Sequence, residues 1–136
     1  MKVFYLLFFQ IVAVVSLNAQ GEVSKDLPVS KDSVRMHVET ESYFPGGVPA
    51  WIRFLNNNLT YPPKAVRKKV EGTVVVQFIV DKNGALSNIE AISGPELLQE
   101  AAVNVIKNSP NWKPAIQDGR IVKSYKKQPI TFKLQP

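Results

Sequence analysis

The chain contains no cysteine and only one histidine, His37, among its 136 residues. Disulfides, thiol chemistry and cysteine-ligated metal are therefore excluded. His37 has no second histidine to share a metal ion with, and it reads as a plain exposed residue. No glycine-rich phosphate loop and no Gly-x-Ser-x-Gly elbow occurs. Ser124-Tyr125-Lys126-Lys127 spells the S-x-x-K pattern of acyl-serine enzymes, but it falls inside a predicted strand and has no partner motifs. Asp81, Asn83 and Gly84 resemble the start of a calcium loop. Ile92 stands where the twelfth-position glutamate is required, so the reading is a hairpin turn. The chain is read as a binding domain rather than an enzyme, with no cofactor.

Hydrophobic runs are also short. The longest spans 3–15 and is broken by Gln10, below the ~20 residues of a spanning helix. Lys2 precedes it, and Ser16-Leu17-Asn18-Ala19 follows, which is the form of a secretory signal peptide cleaved after Ala19. The expectation is a leader over 1–19, or a short membrane anchor, then a flexible linker over 20–42 and one domain over 43–136. Export argues against nucleic acid as the partner of the basic charge. From Tyr61 onward there are twelve basic residues against six acidic ones, so the net charge of +6 belongs to the C-terminal half.

What is present reads as an α+β domain. Val48, Trp51, Ile52, Leu55 and Leu59 recur on one helical face, ended by Asn56-Asn57-Asn58. A short helical turn is expected over 64–69, after the stiff Tyr61-Pro62-Pro63. In the strand predicted over 72–81, Val74, Val76, Phe78 and Val80 face one side. A turn at 81–84 leads to a return strand over 85–93. There Leu86 and Ile89, three apart, predict a bulge near Ser87-Asn88. Ser93 to Glu96 has capping-box spacing, and the helix it opens buries Leu98, Ala101, Ala102, Val105 and Ile106. Trp112 is expected at the core edge with its indole N–H on a backbone carbonyl. A last strand is predicted over 121–134, with Ile130, Phe132 and Leu134 inward and Pro129 placing it at a sheet edge or a bulge.

Taken in order, these motifs resemble the C-terminal domain of the TonB family. The residues that carry the resemblance are Phe44-Pro45-Gly46-Gly47, Phe54-Leu55 to Leu59, Tyr61-Pro62 with Ala65, and Glu71-Gly72 leading into the valine-rich strand. It continues through 81–84, Ala101 to Val105, Trp112-Lys113-Pro114 and Pro129 to Leu134. The resemblance covers about residues 42–134. It implies a three-stranded antiparallel sheet with two helices on one face. It further implies that the last strand takes up the TonB box of an outer-membrane TonB-dependent receptor by β-strand addition. The partner-binding residues it points to are Tyr61, Pro62, Val122, Lys123, Ser124, Tyr125, Lys126, Lys127, Gln128, Ile130, Thr131 and Lys133. Contact with the ExbB–ExbD motor is implied only if the leader is retained. Residues 20–42 reach at most about 80 Å fully extended, which favours peptide capture over energy transduction. An envelope interaction or sensing module is the alternative. Oligomeric state is not legible.

Overall fold

The computed structural model describes residues 33–136. The expected leader, and the linker as far as residue 32, lie outside the described residues. Val34–Pro136 forms one compact unit.

Strand β1 (Gly72–Val80) is central because both of its edges are paired. It runs antiparallel to β2 (Leu86–Ser93) on one side and to β5 (Ser124–Phe132) on the other. Its valine alternation does what the sequence implies: Val74, Val76, Phe78 and Val80 are fully buried on one face. Each such side chain contributes about 1.5–3 kcal/mol of transfer free energy. The expected bulge lies at Asn88, whose φ is +51°, where the β1–β2 register shifts between Gln77 and Ile79. The shift lets Leu86 and Ile89 both pack on the core despite their odd spacing.

Two longer helices cover that face. Helix α1 (Gly47–Asn58) buries Trp51 and packs Ala50, Phe54, Leu55 and, just past its end, Leu59 against the core. The expected face is thus rotated: Val48 is 69% exposed and Ile52 51% exposed. Phe54 sets the phase, because it stacks on Trp51 at 6.0 Å and meets Phe44 at 5.2 Å. Helix α2 (Pro63–Arg67) is one short turn with proline at its start. Helix α3 (Glu96–Lys107) buries Leu98, Ala102, Val105 and Ile106. Its expected capping box does not form, since Ser93 still belongs to β2 and Pro95 occupies the cap position with no side-chain bond. Gln99 Nε2 instead reaches back to the Gly94 carbonyl at 2.9 Å.

The expected last strand is two strands. Strands β3 (Ala115–Gln117) and β4 (Arg120–Val122) form a small hairpin about Asp118-Gly119, both at positive φ. The chain breaks at Lys123 and β5 then joins the main sheet. Trp112 is buried, and its indole N–H donates to the Ser109 hydroxyl at 3.1 Å rather than to backbone. Residues 34–42, expected as linker, are tied to the domain. Thr40 pairs with Ile116 and Arg35 with Ser124.

Candidate functional site

The expected receiving strand, β5, is an edge strand whose pairing to β1 is continuous from Gly72–Phe132 to Val80–Ser124. Pro129 therefore marks an edge and not a bulge. Strand parity decides which backbone groups are available. The Tyr125 N–H points away from β1 and donates to the Arg35 carbonyl at 3.0 Å. Antiparallel ladders alternate, so the N–H groups of Lys127 and Thr131 and the carbonyls of Lys127, Pro129 and Thr131 face outward too. Pro129 sits at an outward position, where its missing N–H removes no bond to β1.

Arg35 forms a short parallel strap at one end of this edge, taking Lys123 O and Tyr125 N at 3.0 Å each. Past the other end of the strand the Glu71 carboxylate accepts the Leu134 N–H at 2.6 Å on the β1 side, which leaves the outer edge untouched. From Lys127 to Thr131, among the described residues, the only bond to an outward backbone group is from Gln128 Nε2 to Pro129 O at 3.2 Å.

The sequence-designated residues separate by face. Ser124, Lys126, Gln128 and Ile130 lie on the helix side, opposite Val80, Phe78, Val76 and Val74. Ser124 and Ile130 are buried, Ser124 with no partner for its hydroxyl among the described residues, and both give their backbone groups to β1. Val122 is buried in β4. Tyr125, Lys127 and Thr131 share the opposite face, where the Thr131 hydroxyl meets that of Thr73 at 2.9 Å. Lys123 lies half-buried between β4 and β5, and Lys133 is exposed beyond β5. Lys126 Nζ pairs with Glu41 at 3.4 Å, and its stem is mostly covered.

Tyr61 and Pro62 stand apart from the open stretch. Tyr61 packs edge-on to Phe132 at 5.5 Å and donates its hydroxyl to the Val70 carbonyl. Pro62 lines a polar cleft with Asn104 on α3 and Asn108 just past its end. Desolvation and, secondarily, the Glu71 carboxylate raise the Tyr61 phenol above its ordinary value of 10.0. A raised acid adds stability that is fully present below its unfolded pKa and is lost as pH rises through the folded one. The difference between phenolate absorbance titrations of wild type and Tyr61→Phe should isolate an ionisation above pH about 10. A difference curve centred at or below that pH would remove the burial argument.

A second feature has no counterpart in the sequence reading. A groove of about 270 Å³ lies between α1 and β5, lined by Tyr43, Val48, Trp51, Trp112, Lys126 and Gln128. Its signal was Phe54: once Phe54 sets the helix phase, Val48 must face out.

A three-stranded antiparallel sheet with helices on one face and an open edge strand defines an α+β edge-strand domain. The family model for the C-terminal domain of the Gram-negative bacterial TonB protein matches residues 57–134, more than half of the chain. The chain belongs to this family. The solution structure of the Helicobacter pylori TonB C-terminal domain is similar, with a TM-score of 0.51 at 22% identity, covering 68% of this chain and 88% of that one. That likeness speaks for the fold. No curated protein matches the chain.

Proposed function

We propose that this domain works in the periplasm in TonB-dependent transport, taking up the TonB box of an outer-membrane receptor as a strand added to the outer edge of β5. The observation that carries the reading is the run of outward N–H and C=O groups from Lys127 to Thr131, on an edge that the Arg35 strap closes at its Tyr125 end. An open, regular edge is a template for another strand. Family membership makes a receptor segment the fitting guest.

Parity supplies a test that spares the fold. Proline at Lys127 or Thr131 removes an outward N–H and no bond to β1, as Pro129 already does. Immobilised wild-type domain should retain TonB-box receptors from an outer-membrane extract. Lys127→Pro and Thr131→Pro should each bind about tenfold or more weakly, since several backbone bonds depend on the strand's straight register. Thr131→Val loses the hydroxyl bond to Thr73 but keeps the N–H, and should bind as wild type. Amide exchange on the free variants establishes that β1 and β5 remain paired. Folded proline variants that bind at wild-type strength would end the edge-strand reading.

A further inference from the structure

The groove beside β5 is placed where a guest strand would need it. Residues directly opposite on neighbouring strands share a face. A guest residue beside Gln128 therefore points to the helix side of the sheet, as Gln128 does, and Gln128 forms the groove's wall. Across from it stand Val48 and Tyr43, 69% and 49% exposed, with nothing from the described chain covering them. The floor is rigid. Trp112 lies 5.6 Å from Trp51, 5.7 Å from Phe44 and 5.1 Å from Phe78, each pair tilted or edge-on. The Arg35 strap ends the open stretch at Tyr125, so pairing centres on 127–131, alongside the groove.

Charge sets the rest of the guest's chemistry. Lys113 and Lys127 are exposed and Lys123 half-exposed, and none of them has an ion pair among the described residues. Glu41, the acidic group at Lys126, is already paired at 3.4 Å.

We infer that this groove is a side-chain pocket that fixes the register and identity of the added strand, accepting one aliphatic or aromatic side chain from an extended segment with acidic residues nearby. The inference rests on the edge-strand reading above. Backbone pairing alone is indifferent to sequence, and specificity in strand addition comes from pockets for alternate side chains. Trp51, Trp112 and Val48 offer an apolar surface that an aliphatic or aromatic side chain buries and a serine side chain cannot use.

The two tryptophans of the chain, Trp51 and Trp112, both line the groove. Their fluorescence therefore reports occupancy of the pocket, while exchange of the Lys127 and Thr131 amides reports the edge. The probes are synthetic peptides of about eight residues, Thr- and Val-rich to favour extension, with Glu at both ends and Leu, Phe or Ser at the centre. The Leu and Phe peptides should slow exchange at both amides and shift the tryptophan emission. The Ser peptide should bind about tenfold or more weakly, as expected for losing one buried apolar side chain, and leave the emission unchanged. Val48→Asn, a neutral change at an exposed position outside the core, should weaken the Leu peptide far more than the Ser peptide. Equal binding of Leu and Ser peptides with protected amides would overturn the pocket and leave the edge reading standing. An emission shift without amide protection would overturn both, since the groove would then be serving another mode of binding. Amide protection in the free protein that grows with its own concentration would assign the edge to a second copy, and the pocket proposal would fall.

Discussion

Phe78→Ala should destabilise the domain by about 3–5 kcal/mol, the range for deleting a fully enclosed aromatic ring. Phe78 has no exposed surface, and it belongs to β1, the strand paired on both sides. Its ring meets Trp112 edge-on at 5.1 Å, and Trp112 in turn touches Phe44 and Trp51. Truncation leaves a cavity beneath that aromatic cluster which the paired backbone cannot collapse to fill, so the cavity penalty adds to the lost transfer energy. Urea denaturation should show the loss as a lower midpoint with an unchanged slope. A loss below about 1 kcal/mol would place Phe78 outside the core and undo the facing of β1. The variant should also blur the groove, because Trp112 would lose the neighbour that fixes its orientation. Weaker emission shifts on peptide binding in still-folded protein would register that link.

The parts of this fold that are legible in sequence are those set by local period. Val74, Val76, Phe78 and Val80 announce a strand and its inward face, and Leu86 with Ile89 betrays the bulge at Asn88. Pro129 bears on the place of β5 in the sheet, because a missing N–H is tolerable only where no neighbour needs it. The phase of helix α1 is not legible, because Val48 and Ile52 fit an apolar stripe as well as Phe54 does. Only the aromatic contacts of Phe54 and Trp51 with Phe44 choose between the two phases. The separation of β4 from β5 is hidden because no glycine, asparagine or aspartate marks a turn between Arg120 and Ser124, and the break at Lys123 coincides with the Arg35 strap. The candidate site divides the same way. Its backbone edge belongs to one strand and can be read from it. Its groove joins Tyr43, Val48, Trp51, Trp112 and Gln128, and no local pattern states that such distant residues meet. The strap is opaque for a similar reason. Arg35 contributes backbone groups alone, and these carry no sequence signature.

Gly84→Ala should cost about 2–4 kcal/mol, although it adds a single methyl group. Two separate terms produce this. Gly84 closes the β1–β2 turn at φ +87°, a left-handed conformation that charges an L-residue about 1–2 kcal/mol. The added Cβ would also lie 2.1 Å from the Trp112 carbonyl oxygen, which is backbone and cannot rotate away. Gly84 is fastened there from both sides: its N–H donates to Asp81 O at 3.0 Å, and its carbonyl accepts the Trp112 N–H at 2.9 Å. Asp81 Oδ1 holds the same turn through the N–H groups of Asn83 and Ala85, at 2.8 and 2.9 Å, so the turn has little freedom to shift. Gly119 provides the internal comparison. It lies at φ +72° in the β3–β4 turn, and a methyl carbon added there would meet nothing within 4 Å. Gly119→Ala should therefore show the conformational penalty alone, about 1–2 kcal/mol. Denaturation of the two variants side by side separates the terms, the excess at Gly84 being the steric one. The same displacement would push Trp112 out of register with Trp51, so near-ultraviolet circular dichroism should change for Gly84→Ala and hold for Gly119→Ala. Equal losses at the two glycines would mean that the loop carrying Trp112 yields easily, and the rigid groove floor argued from its ring contacts could not stand.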